Sequence, residues 1–387
     1  MRVFINAASS KMGGSVTYLK NLLRKIPECT SGDQFFVYVP SSTQTELQAL
    51  AGPNIQLCSY PYQKTGGVTR FWFDQVTVPR LIQKHDCDIL FSSTGFGTFF
   101  SPCPQVLLVR NAKYFNRDLE DVYRRAGRSL GSLRVRRWMS YLSMKQATRV
   151  VFPTKALQEI VDERTGLHRP STIVHYGFDE NGFRGGQNSA PEVVDKIRRW
   201  RQDGYTILLS VSFFAMHKNF EVLTDAVSQL ISENRKVKLI TTTERESTGD
   251  KEAYDRWRQD IQRKGLENVI IESGYVSHDR ISHLYEASDI FLFPSVTESF
   301  GHPMVEAMSC GLPVVASDTS VNREICNGAG HFFSPFSSRD CAKSIREILQ
   351  DSSARSKLSE RSLDRADCFS WDRHVRKIIS ILHQVNS

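Results

Sequence analysis

Several common signatures are missing from this 387-residue chain, and each absence narrows what it can be. Its eight cysteines (Cys29, Cys58, Cys87, Cys103, Cys310, Cys326, Cys341 and Cys368) are scattered singly, with no Cys-x-x-Cys pair. That argues against a zinc site and favours the reduced thiols of a cytosol. Apolar runs such as Val314–Ala316 and Ile290–Phe293 are far too short to cross a bilayer. The opening RVFIN is a brief apolar run that reads as a first strand, not as a secretory leader. There is no short-period repeat and no low-complexity tract. No zinc-finger spacing or RNP-type aromatic motif accompanies the net charge of +8, so a nucleic-acid partner is not expected. The excess of cations points instead to a phosphorylated substrate or an acidic membrane face.

What is present is a globular composition, 40% hydrophobic and 24% charged, on a chain long enough for two domains. Two halves each open on an apolar strand and then alternate strands with helices. RVFIN, FFVYV, IQLCSY, DILFSS, VLLVR and RVVFP are strand candidates in the first half. TILLSVS, VKLITTT, VIIESGYV, IFLFPS, PVVAS and GHFFSP are those of the second, beyond a Gly/Asn/Ser-rich connection, FRGGQNSAP. The pattern predicts an α/β protein with two parallel sheets covered by helices, over residues 1–180 and 181–365. Ligands of such sheets bind beyond the carboxyl ends of the strands. Gly13 and Gly14, the loop after Val109, the loop after Ser212 and the stretch 293–318 are therefore expected on one chemical surface.

Acidic residues are absent from 123–149, which carries eight Lys/Arg. Leu130, Leu133, Trp138, Tyr141 and Leu142 interleave there at roughly helical spacing. Two readings stand: a solvated helix pair with one buried stripe, or a basic amphipathic surface resting on anionic lipid.

The most informative stretch is FPSVTESFGHPMVEAMSCGLPVVASD, Phe293–Asp318. Pro294 ends a buried strand, Pro303 suits the first turn of a helix, and Gly311 and Pro313 close it. Backbone N–H groups near Phe300–Met304 then form an anion site at the helix start. Glu298 precedes that start and Glu306 lies inside the helix, so a carboxylate stands on each side of it. Carboxylates accept hydrogen bonds from hydroxyls, which suits phosphates flanked by two hydroxyl-bearing rings. Plain helix-dipole compensation by Glu298, with Glu306 a solvated helix residue, is the competing account.

This stretch, with REI at 323–325 and FFSP at 332–335, closely resembles the signature of retaining family-4 glycosyltransferases of the GT-B fold, two Rossmann-like domains facing a central cleft. ISHLYEASDIFLFPS, VVFPTKALQEIVDERTG and IVHYGFDENGF extend the resemblance, which is strong over 150–335 and weaker before. FSWDRH resembles the family's last helix, implying that 366–387 crosses back to the N-terminal, acceptor-side domain. The resemblance implies that Glu306 binds the nucleotide ribose and Glu298 the donor sugar. Ser299, Phe300, Gly301 and His302 would offer backbone N–H groups. Lys218, with Ser212 nearby, would neutralise the diphosphate; Thr243, Tyr275 and Val276 would lie near the base, and Gly13–Gly14 near sugar or phosphate. No metal or other cofactor is expected. The implied partners are a nucleoside-diphosphate sugar and a glycan or lipid-linked glycan acceptor, at the cytoplasmic face of a bacterial membrane contacted through 123–149.

Two departures from the family pattern stand out. An arginine expected five residues before Lys218 is Phe213, which leaves the diphosphate to Lys218 alone or to Arg110, His302 or Arg323 as well. A histidine expected after VLLVR is replaced by Arg110-Asn111; Asn111 can hydrogen-bond a donor hydroxyl but cannot shuttle a proton at neutral pH. Asp86-Cys87-Asp88 resembles a metal-binding Asp-x-Asp in the wrong topology, and Phe100 breaks the dinucleotide fingerprint begun by Gly95 and Gly97. His175, His278 and His283 are expected to pack or solvate. A nucleotide-sugar epimerase and a non-catalytic nucleotide-sugar or membrane-binding homologue remain as alternatives.

Overall fold

The computed structural model describes residues 1–10, 14–60, 66–178, 183 and 189–387, which divide into two α/β units. The first gathers Met1–Asn116, Ser129–Gly177 and Ser370–Ser387; the second gathers Arg117–Arg128 and Phe178–Phe369. The first sheet is built from β1 (Arg2–Asn6), β2 (Gln34–Val39), β3 (Ile55–Ser59), β4 (Ile89–Ser92), β5 (Gln105–Leu108), β6 (Arg149–Phe152) and β7 (Ser171–Ile173). All pair in parallel, in the order β3-β2-β1-β4-β5-β6-β7. The second contains β8 (Thr206–Ser210), β9 (Val237–Thr241), β10 (Ile270–Glu272), β11 (Ile290–Phe293), β12 (Val314–Ser317) and β13 (Gly330–Phe333). Its order is β10-β9-β8-β11-β12-β13, again parallel.

Strands covered on both faces should be continuously apolar, and these are: every residue of β4, β5, β11 and β12 is buried. β7 is the strand that the sequence pattern missed, because its three half-buried residues make no apolar run. In the second unit Phe214, Phe220, Tyr254 and Trp257 pack against β8 and β9, and the Trp257 indole donates to Thr224 Oγ1 at 2.8 Å. The Asp-x-Asp motif is a structural turn: Asp88 exchanges backbone and side-chain hydrogen bonds with the Arg2 backbone.

Strand order reverses between β1 and β4 in one sheet and between β8 and β11 in the other. The loops on either side of such a reversal diverge and leave a crevice at the carboxyl ends. The β8 loop carries Ser212 to Lys218 and the β11 loop carries Glu298, so the second crevice is lined by the residues singled out above.

The basic stretch 123–149 does not behave as one face. Helix Arg117–Arg125 and Arg128 belong to the second unit, where acidic or aromatic partners engage the arginines: Arg124 with Asp121, Arg128 with Asp250, Arg125 over Phe336. Helix Gly131–Gln146 belongs to the first unit and buries Leu133, Ser140, Ser143 and Met144, while Val135 and Trp138 are mostly exposed. The expected apolar stripe is therefore mistaken at Trp138, which points to solvent.

The final helix, Trp371–Asn386, is capped by the Ser370 hydroxyl and belongs to the first unit. Gly177 lets the chain approach its start closely: a Cβ there would fall 2.0 Å from the Trp371 nitrogen. Gly177→Ala should therefore destabilise the first unit by about 2–3 kcal/mol. Chemical denaturation would measure this; a midpoint equal to the parent's would refute the close approach.

Candidate functional site

Backbone geometry first makes the centre of the second unit. β11 ends at Pro294, and the chain turns back through Glu298 to Gly301, whose φ of 88° is left-handed and caps helix His302–Ser309. Glycine is needed there on two counts, since an added Cβ would also meet Met304 Cε at 2.5 Å. On the adjoining β8 loop a 3₁₀ turn, Met216–Lys218, leads to Asn219 in the left-handed region. The Asn219 amide donates to the Pro335 carbonyl at 2.7 Å, and the Val296 N–H donates to the His217 carbonyl at 2.9 Å. The first ties the β8 loop to the segment after β13; the second, with the Asn219 amide donating to the Pro294 carbonyl at 3.4 Å, locks the β8 and β11 loops edge to edge.

The locked loops bring Lys218 Nζ to 2.6 Å from Glu298 Oε1. The lysine is almost wholly buried, with the Phe293 ring 5.4 Å and the Phe213 ring 5.9 Å from its ammonium. Phe213, standing where an arginine was expected, thus supplies a ring face and no second cation. A charge pair so enclosed is strongly coupled, and removing one member strands the other.

Glu306 projects from helix His302–Ser309 toward a different set of partners. Its Oε2 accepts the Tyr285 hydroxyl at 2.7 Å, and His278 Nε2 lies 3.8 Å from Oε1. Phe183 packs against both partner rings, edge-on to His278 and tilted on Tyr285. Burial pushes the Glu306 carboxyl above the usual carboxylate range, against the opposing pull of His278 and of the Tyr285 hydroxyl. A carboxylate retained under those conditions is costly and needs a reason. His278, expected only to pack or solvate, belongs to this carboxylate's surroundings.

The remaining expected residues sort by what their side chains can reach. Phe300 is core, edge-on to Phe369, so only its backbone can contact a ligand. The His302 ring lies 5.0 Å from that of Phe300, and Ser299 is half-buried. Ser212 bonds through its backbone N–H to Thr242 Oγ1 at 2.9 Å. Thr243 is fully buried and its hydroxyl donates to Glu272. Tyr275 is open to solvent beside half-buried Val276, and its N–H donates to Glu244 Oε2 at 2.9 Å. Arg323 is forked on Asp318, which spends the cation suggested for the diphosphate.

In the first unit, Gly13 lies outside the described residues, and Gly14 opens helix Gly14–Cys29 with open space where a Cβ would be. Arg110 donates to the Gly14 carbonyl at 2.9 Å. Asn111 precedes the 3₁₀ turn Ala112–Tyr114 without capping it.

Comparison with known proteins places the chain in a family and a fold. The model of the glycosyl transferases group 1 matches residues 177–365, and that of glycosyltransferase family 4 matches residues 12–181. The chain belongs to the group 1, family-4 glycosyltransferases, and its fold is the two-domain α/β GT-B fold. It is similar to the Anabaena protein HepE solved with UDP and glucose (TM-score 0.73, 21% identity, 99% of this chain and 100% of that one). It is also similar to WaaG, a glycosyltransferase involved in lipopolysaccharide biosynthesis (TM-score 0.69, 15% identity, 99% of each chain). Among curated relatives, the Escherichia coli O-antigen chain mannosyltransferase B is 35% identical over 132 residues, 33% of this chain and 35% of that protein. The mannosylfructose-phosphate synthase of Agrobacterium fabrum is 23% identical over 239 residues, 60% of this chain and 52% of the relative. These matches thus span between about a third and a half of the relatives' own lengths.

The raised Glu306 carboxyl gives a signed expectation. The folded chain holds that proton more tightly than the unfolded chain, so this site's contribution to stability is full at acid pH and declines as pH rises through the raised value. Glu306→Gln, whose amide oxygen still accepts from Tyr285, should raise the ligand-free melting temperature at pH 7 by roughly 1–3 °C. The gain should vanish near pH 4; an equal gain at both pH values in calorimetry would contradict the assignment.

Proposed function

We propose that this chain is a retaining hexosyltransferase that moves a sugar from a nucleoside-diphosphate sugar to an acceptor hydroxyl in bacterial surface-polysaccharide synthesis. The observation that carries the reading is the Lys218–Glu298 pair at the β8/β11 reversal, with the largely enclosed Glu306 carboxylate on the neighbouring helix. Group 1 membership and relatives named for mannosyl transfer and O-antigen synthesis support the same reading.

The chemistry follows from charge. As the anomeric bond to the diphosphate breaks, negative charge grows on the leaving group and positive charge on the sugar carbon. Lys218 meets the first, a cation that neutralises the diphosphate without a metal. Glu298 holds the ammonium in position until the donor arrives, then accepts hydroxyls of the sugar ring. Glu306 accepts the ribose hydroxyls, braced by Tyr285 on its other oxygen. Orientation and electrostatic stabilisation then carry the rate, with no dedicated nucleophile.

A membrane-facing acceptor is the partner that the first unit's surface favours. Helix Gly131–Gln146 exposes Val135 and Trp138 beside Arg134, Arg136 and Arg137, an apolar-basic combination suited to the interface of an anionic bilayer. Among the described residues no helix is long and apolar enough to cross a membrane. A peripheral, cytoplasmic-face location is therefore the one proposed.

A thermal-shift screen of the common sugar nucleotides should find one donor that stabilises the parent, and Glu306→Ala should lose most of that shift. Lys218→Ala should lower turnover about 10²–10³-fold, and the product should retain the donor's anomeric configuration by NMR. Epimerisation without acceptor, or bound donor that never releases nucleoside diphosphate, would overturn the assignment. In liposome flotation, recovery should depend on anionic lipid and fall in Trp138→Ala with Arg134→Glu and Arg137→Glu. Indifference to lipid charge would sink the membrane proposal alone.

A further inference from the structure

Among the described residues no carboxylate neutralises the charge of Arg110. Its Nη2 donates to the Gly14 carbonyl at 2.9 Å, and its guanidinium lies over the rings of Tyr18 and Tyr176, 5.0 and 5.8 Å from their centroids. The floor beneath those rings is neutral. His374 Nδ1 is 2.8 Å from the His175 carbonyl, which only accepts, so the hydrogen sits on Nδ1. In the neutral ring Nε2 is then the acceptor, and the Tyr18 hydroxyl donates to it across 3.2 Å. Burial keeps that imidazole neutral, pushed down to about 4, and raises both phenols above their ordinary range. Trp371 packs against Tyr18, Tyr176 and His374 and completes the cluster.

No carboxylate reaches Arg110 among the described residues; its contacts there are one carbonyl and two ring faces. Nη1 is buried without an acceptor. A guanidinium cannot shed its proton to relieve this. Pinning Gly14 needs only one neutral donor, so packing does not account for a permanent cation here. Open space adjoins Gly14 on the loop side of the first sheet's own reversal, between β1 and β4.

We propose that Arg110 is an oxyanion-binding residue of the first unit, seating a phosphate or carboxylate group of a substrate beside Gly14. The inference rests on the proposed glycosyl transfer only for which molecule brings the oxyanion: the donor through its diphosphate, or the acceptor through an acidic group of its own. The rigid aromatic floor fixes the fork in advance, so binding spends little on ordering it. A lysine would keep the charge and lose the fork.

The test is binding of inorganic pyrophosphate, inorganic phosphate and UDP, GDP, ADP and dTDP to the full chain, read by calorimetry and thermal shift against chloride at equal ionic strength. Arg110→Gln and Arg110→Met should bind pyrophosphate at least tenfold more weakly than the parent, and Arg110→Lys should fall between. Equal weakening toward a nucleoside diphosphate assigns the oxyanion to the donor. Unchanged nucleotide binding with weakened phosphate binding assigns it to the acceptor, and the acceptor KM should then rise with little change in kcat. If all three variants bind every anion as the parent does, the inference is wrong and Arg110 only pins Gly14, whatever their melting temperatures. A parent that binds pyrophosphate through Arg110 yet ignores every nucleotide would uphold this site and defeat the proposed function.

Discussion

The reversal of strand order between β8 and β11 is the constraint on which the second unit's chemistry depends. Two loops leave adjacent parallel strands in opposite directions, and the Asn219–Pro335 and Val296–His217 bonds tie them to fixed neighbours. Only with both loops held does Lys218 reach Glu298, across eighty residues of sequence. The pair is enclosed by aromatic rings, so water screens it weakly and each partner's position depends on the other. Phe213 adds to that enclosure where a second cation would have loosened it, by competing for the one carboxylate.

Glu306 solves a different problem with a different device. Its charge is disfavoured by burial, yet the Tyr285 hydroxyl occupies one oxygen and leaves the other facing His278. One oxygen is thereby used for orientation while the other faces His278. Tyr285 is itself immobilised against Phe183 and Phe291. The carboxylate's direction is thus set by packing, which is how a recognition group is held to a narrow geometry at modest entropic cost.

The strands and their pairing class were legible because burial on both faces of a parallel sheet forces continuous apolar runs, as in Ile290–Phe293. The turn from Pro294 to Pro303 was legible because proline fixes φ and glycine admits the left-handed φ that Gly301 adopts. β7 and the allegiance of Arg117–Arg128 were not, because neither depends on local pattern. Arg128 joins the second unit through Asp250, over a hundred positions away. The direction of the Thr243 hydroxyl was not legible for the same reason, since it is decided by whichever buried acceptor lies nearest, here Glu272. Tyr285 and His278 carry no motif of their own; only the fold reveals that they meet at Glu306.

The two units also differ in how they treat charge, and the difference is instructive. The second unit pairs its buried lysine with a carboxylate of the same unit, so its cation is compensated before any ligand arrives. Among the described residues, the first unit sets Arg110 against one carbonyl and two phenol rings, none of them able to cancel a positive charge. A compensated cation can be released to follow charge as it develops, because its partner also gains new contacts when it moves. An uncompensated cation on a rigid floor cannot follow anything; it can only hold an anion already formed. The diphosphate role proposed for Lys218 fits the first behaviour, and the oxyanion role proposed for Arg110 fits the second.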